Sequence, residues 1–166
     1  MPPTFAGSNN LYSLEFYLLA NSHLNDGGTI AQWLPMHLLT TEQSISIART
    51  FTEIFPNSVL WIYPPYRTGI LVGKKGALST TLWPGLDISA PGRELDRQSI
   101  ESSVQLSGAK LQHFAATGTI ITDNNQYLSY GWSAQQLDFS DSADSRGYKW
   151  ENETFAKIAQ AQTAGQ

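Results

Sequence analysis

The chain has 166 residues, of which 41% are hydrophobic, 11% aromatic and 14% charged; this is room for one domain with a real core and little room for a second. A formal net charge of -4 argues against a nucleic-acid binder, which needs a basic face, and the lack of cysteine removes disulfides, thiolate catalysis and cysteine-based zinc sites together. No apolar run approaches the roughly 18–20 residues of a membrane span, and the N-terminus has neither the basic start nor the apolar stretch of a secretion signal, so the expected location is the cytoplasm.

With charge this sparse, Ser, Thr, Asn and Gln are expected to carry the surface. Met1 to Ala48 contains no Lys or Arg but does contain Glu15, Asp26 and Glu42. A cationic small-molecule partner would suit that stretch, although three acids alone are weak support for one.

Ser13 to Leu24 reads as a helix. Ser13 is a good N-cap, Glu15 sits where the helix dipole favours a carboxylate, and Leu14, Tyr17 and Leu18 share a face. Asn25-Asp26-Gly27-Gly28 is expected to end it with a left-handed glycine cap. Thr29–Leu34 is apolar without clean alternation, as in a strand buried on both faces, and Pro35 stops it. Thr40 and Gln43 offer a capping box for a second helix, along which Ile47, Ala48, Phe51, Ile54 and Phe55 recur at helical spacing up to Pro56-Asn57. Val59–Tyr63 is a strong strand, 64–69 a loop, and Ile70–Gly73 a strand short enough to form an antiparallel hairpin with it. The helix between Thr29–Leu34 and Val59–Tyr63 allows those two strands to be parallel. Beyond Lys75 the pattern weakens. Short helices are expected over Arg93–Leu106 and Ala109–Ala116, followed by a short apolar run at Thr119–Asp123. The polar tail is expected to be partly disordered or helical, with Asn152–Gln162 as the helical stretch.

Few chemical motifs survive inspection. His23, His37 and His113 are far apart and lack partners at metal-ligand spacing. There is no Gly-x-Ser-x-Gly elbow and no Gly-x-Gly-x-x-Gly fingerprint. Gly69 to Lys75 falls short of a phosphate loop: three residues separate its glycines where four are needed, and Lys75 stands where Ser or Thr should bind magnesium. Asn152-Glu153-Thr154 is a glycosylation sequon with no secretion signal to give it meaning.

One resemblance is specific. Leu11-Tyr12-Ser13-Leu14-Glu15-Phe16-Tyr17, followed by Gly27-Gly28 and by Gln32-Trp33-Leu34-Pro35, resembles the central stretch of spermidine synthase-like proteins, the polyamine aminopropyltransferases. The closer likeness is to the branch often fused to a membrane transporter domain. Phe51 to Pro56 resembles that family's helix end, Tyr63 to Gly69 its Pro-x-Tyr-x-x-Gly loop, and Thr122 to Tyr130 its closing Thr-Asp-Asp-x-Pro-x-x-Glu-Tyr motif. Asn124, Gln126 and Ser129 replace Asp, Pro and Glu in the last of these. The likeness runs over roughly residues 2–132 and is weak between Ala77 and Gly118.

The resemblance implies an α/β chain corresponding to the C-terminal half of a doubly wound, Rossmann-like S-adenosylmethionine-dependent methyltransferase fold, with a last antiparallel hairpin and short helices after it. Residues 1–76 would form the later part of the sheet, 77–132 a helical extension packed on it, and 133–166 the tail. It also implies that the nucleotide loop, the ribose-holding acid and the Asp-x-x-Asp-Pro gate belong to polypeptide ahead of Met1, Pro2 or Pro3 matching the gate's proline. Aminopropyl transfer needs a carboxylate base for the attacking amine and a site that holds the sulfonium donor, decarboxylated S-adenosylmethionine, in line. These residues alone are therefore expected to be inactive and to bind no cofactor. What remains is an amine-side wall for a polyamine: Tyr66 by its match to the family's substrate-lining tyrosine, Gln32 at the carboxyl end of a strand, and Asp123 in the closing motif. For each, a structural role is the competing reading, and for Asp123 that role is a turn or cap. A non-catalytic binding or assembly module and a truncated methyltransferase of another substrate class stay open as alternatives. Without an earlier neighbour, Thr29–Leu34 would leave an open edge, covered by a homodimer, by a separately encoded nucleotide-binding half, or by the chain's own tail.

Overall fold

The computed structural model describes residues 7–63, 68–76, 103–130 and 143–164. After a 3-10 turn at Ser8–Leu11, the order is helix α1 (Leu14–His23), strand β1 (Thr29–Leu34), a 3-10 turn at Met36–Leu38, helix α2 (Thr41–Ile54), strands β2 (Val59–Tyr63) and β3 (Thr68–Lys74), strand β4 (Val104–Ser107), and helices α3 (Gly108–Ala115), α4 (Tyr127–Tyr130) and α5 (Ala143–Thr163). The chain is thus mixed α/β, with a four-stranded sheet in the order β1-β3-β2-β4 and every neighbouring pair antiparallel. Among the described residues no helix is long and apolar enough to cross a membrane.

The hairpin of β2 with β3 is as expected, Leu60 lying opposite Leu71. β1 and β2 both run antiparallel to β3, so they point the same way, joined through α2, with β3 inserted between them. Two expectations fail here. β1 is not buried on both faces: it is an edge strand whose burial alternates, Thr29, Ala31 and Trp33 exposed and Leu34 fully buried. Its residues are apolar on both sides, so composition could not reveal that only one face is covered. Val104–Leu106, expected at the end of a helix, is instead strand, added to β2 through a register shift between Leu60 and Trp61. Val and Leu in so short a run fit either state, and pairing with β2 selects the strand. The extension after residue 77 thus contributes to the sheet as well as to the helical layer; the rest of the Arg93–Leu106 expectation lies outside the described residues.

The helix caps follow local chemistry. Ser13 Oγ accepts the Phe16 N–H at 3.2 Å, and Thr40 and Gln43 form the reciprocal box at 3.1 and 3.0 Å. At the other end of α1 the C-cap is Leu24 in extended conformation, not a glycine. Gly27, at φ +76°, serves the turn into β1, while Lys75 Nζ donates to the Leu24 carbonyl at 2.9 Å. The expected face of α1 is only partly right, since Tyr17 is fully buried but Leu18 is 51% exposed. Leucines and aromatics surround much of this helix, so spacing alone does not choose a side.

The core lies between α2 and the sheet. Tyr17 meets Phe51 edge-to-face at 5.2 Å, and Gly73 leaves room for Phe55, whose Cβ would sit 2.7 Å from any side-chain carbon there. α2 is packed by α1, α3, α5 and β3, and most of its residues are buried, including Thr41, Gln43, Ser44, Ser46, Thr50 and Thr52. The small hydroxylated residues expected on the surface thus fill a helix interior. Thr50 and Thr52 are tolerated because their hydroxyls find backbone partners, Thr50 donating to the Ser46 carbonyl and Thr52 to that of Ala48, whereas Ser44 Oγ is buried without a partner among the described residues. In turn, Ser46 Oγ accepts the Thr119 N–H at 3.0 Å and Thr50 Oγ1 that of Ile121 at 2.9 Å. Side chains of α2 thereby replace a neighbouring strand for the run at 119–121, which is neither helix nor strand. Gly118 permits the approach, since a Cβ would lie 2.7 Å from the Ile45 carbonyl oxygen.

In the tail, α5 extends beyond the expected Asn152–Gln162. It buries Thr154, Ile158 and Ala161 at helical spacing, and Lys110 Nζ donates to the Gln162 carbonyl at 2.6 Å.

Candidate functional site

The segments carrying the family resemblance are more than a hundred residues apart, yet they meet at the start of α1. Asn9 makes the central tie. Its side chain is fully buried, donates from Nδ2 to the Thr122 carbonyl at 3.2 Å, and accepts the Leu128 N–H at Oδ1 at 2.9 Å. Both groups lie in the closing motif. Beside it the Leu14 N–H donates to the Ile121 carbonyl at 2.8 Å, and Gln126 Nε2 donates to Asn10 Oδ1 at 2.8 Å. Glu15 Oε2 accepts the Asp123 N–H at 3.0 Å, so the first-turn carboxylate also pins the loop. Gln126 closes the turn by donating to the Asp123 carbonyl at 2.7 Å, with its own backbone at φ +45°.

Two tyrosines line the inner side of this junction. Tyr12 is 3% exposed, and the Gln32 side chain lies near its hydroxyl. Burial raises the Tyr12 pKa above its ordinary value and the Gln32 contact partly opposes this. Tyr17 has no exposure, and its hydroxyl finds no hydrogen-bond partner among the described residues. Its pKa is pushed well up, first by burial and then by the neighbouring Tyr12. Both phenols are therefore neutral at physiological pH. They are fixed dipoles rather than acids or bases.

The expected site residues fare differently. Gln32 lies near the carboxyl end of β1, half-buried, with Tyr12 on one side and its Nε2 donating to the Trp33 carbonyl at 3.4 Å. Asp123 lies in an exposed turn, where its peptide group bonds to Glu15 and Gln126. Tyr66 lies outside the described residues. The junction of 9–15 with 121–128 joins Asp123 to the same end of α1 where Tyr12 lies near Gln32. Tyr12 and Asn9 were missed as individual residues. Tyr12 stands in the recognised pattern, but nothing in one sequence tells a packing aromatic from one whose hydroxyl reaches another element. Asn9 carries no local signal at all, because its partners are 113 and 119 residues away.

Chemically, the junction offers carboxamide and phenol dipoles beside two exposed carboxylates, Glu15 and Asp123, with no Lys or Arg before Arg49. That suits hydrogen-bonding recognition of a cationic group better than proton abstraction. No protein-family model matches the chain, and no curated protein matches it either.

Proposed function

We propose that this chain is the later part of a spermidine synthase-like aminopropyltransferase domain, in which the ends of β1 and α1 form the wall facing a polyamine. The observation that carries the reading is the junction itself. Leu11–Tyr17, Gln32 and Thr122–Tyr130 bear the resemblance separately in sequence; Asn9 and Glu15 tie the start of α1 to the last of these, and Gln32 lies near Tyr12. The shared direction of β1 and β2 across α2 is compatible with a doubly wound sheet, whose ligands bind beyond the carboxyl ends of the strands, where Gln32 lies.

In this reading Gln32 and the exposed carboxylates orient the amine. The base and the pocket for decarboxylated S-adenosylmethionine come from preceding polypeptide, so the 166 residues alone bind amine without transferring an aminopropyl group. Calorimetry with putrescine and spermidine tests the first half of this statement. Saturable heat that falls at least tenfold in affinity in Gln32→Ala supports it, and the absence of heat from either amine refutes it. A transfer assay on the same chain tests the second half, and turnover without any added polypeptide would contradict it.

A further inference from the structure

To bind an amine, Gln32 has to present the oxygen end of its carboxamide, and the other end is a donor that an ammonium group cannot use. A freely turning side chain offers either end. In β1, Gln32 shares a face with Ile30 and Leu34, which pack into the core, so it projects to the same side of the sheet as they do. One Nε2 hydrogen goes to the Trp33 carbonyl at 3.4 Å, beyond the usual range for an N–H···O bond. That contact is too weak to hold a half-buried glutamine in one orientation.

Tyr12 supplies a second point of attachment. Its side chain belongs to the core, and the Gln32 side chain lies near its hydroxyl. The backbone around it is held from both sides. The Tyr12 N–H donates to the Asn9 carbonyl at 2.9 Å, and the Leu14 N–H donates to the Ile121 carbonyl at 2.8 Å. Between them Ser13 Oγ donates to the Asn10 carbonyl at 3.0 Å and accepts the Phe16 N–H at 3.2 Å. A buried hydroxyl on a pinned backbone thus stands beside a side chain that needs orienting. Gln32 lowers the phenol pKa against the rise from burial, the sign expected when the carboxamide donates to the phenolic oxygen.

We infer that Tyr12 is a positioning residue for Gln32: its phenolic oxygen takes the second Nε2 hydrogen, the Trp33 carbonyl takes the first, and Oε1 is left turned toward an ammonium group. The inference rests on the proposed amine wall and adds to it what orients the wall. Tyr12→Phe keeps the ring and removes only the hydroxyl, so it is the variant to measure, in the full chain. Nitrogen-15 relaxation at Gln32 Nε2 gives the first readout. The carboxamide is ordered in the wild type, becomes mobile in Tyr12→Phe, and stays ordered in Tyr17→Phe, whose lost hydroxyl has no hydrogen-bond partner among the described residues. A carboxamide already mobile in the wild type, or equally ordered in Tyr12→Phe, overturns the inference. Putrescine calorimetry gives the second. Tyr12→Phe weakens binding about threefold to tenfold, as loss of one neutral hydrogen bond does, and has no further effect once Gln32→Ala is present. Equal losses in both backgrounds overturn the inference, because Tyr12 would then act without Gln32. The two readings fail separately: a wild type that binds no amine rejects the wall, and the relaxation measurement alone then decides whether Tyr12 holds Gln32.

Discussion

Asn9→Ala is the sharpest test of the junction. The wild-type side chain is fully buried and holds one carbonyl, of Thr122, and one N–H, of Leu128, at 3.2 and 2.9 Å. Alanine supplies neither partner and leaves a space too confined for easy hydration. The Thr122 carbonyl keeps the Gln126 N–H at 3.4 Å, so the Leu128 N–H is the backbone group left unpaired, at a cost of about 1–3 kcal/mol. For a chain of this length that corresponds to a fall of roughly 2–12 °C in melting temperature. With a urea slope of about 2 kcal/mol/M, the midpoint should drop by about 0.5–1.5 M. Asn9→Asp keeps the acceptor for Leu128 but turns a buried carboxylate toward the Thr122 carbonyl, so it should be at least as damaging near neutral pH. Amide exchange at Leu128 adds a local readout, and its protection should fall more than that of Leu60 in β2. A midpoint unchanged within about 0.3 M, with Leu128 still protected, would show that Asn9 does not hold the closing motif and would remove the main support for a shared site.

Two further predictions rest on single hydroxyls. Thr50→Val preserves shape but orphans the Ile121 N–H, and denaturant unfolding should show a loss of about 1–3 kcal/mol, while Thr50→Ser restores most of it. Tyr17→Phe removes a buried hydroxyl without a partner and should be neutral or stabilising near pH 7. Its main effect should appear in alkali. The folded pKa of Tyr17 lies well above the ordinary 10.0, so the unfolded chain releases this proton first; stability is complete below about pH 10 and declines as pH rises toward the folded value. The phenylalanine variant should therefore lose less stability than wild type between pH 9 and 11 in pH-jump unfolding, and equal slopes would refute this assignment.

Much of the local structure is legible in the chain because it depends on residues within a few positions of one another. Ser13, Thr40 and Gln43 cap their helices as their chemistry requires, and Val59–Tyr63 and Ile70–Gly73 are too rich in β-branched and aromatic residues to be anything but strand. Gln32 falls near the carboxyl end of β1 because Pro35 fixes where that strand stops. The face of α1, the single covered face of β1 and the strand at Val104 were not legible, since each depends on which distant element arrives beside it.

The amino-acid order by itself therefore determined where α1 and α2 begin and that β1 and the hairpin of β2 with β3 are strands, and the resemblance that gives the chain a candidate chemistry. Only the tertiary structure decided that β3 lies between β1 and β2, that α2 buries its hydroxyls to serve the backbone at 119–121, and that Asn9 reaches across the chain to the closing motif. Capping and periodicity act over one or two turns of chain. A buried amide must be satisfied by whatever lies next to it in space, and that neighbour is set by packing.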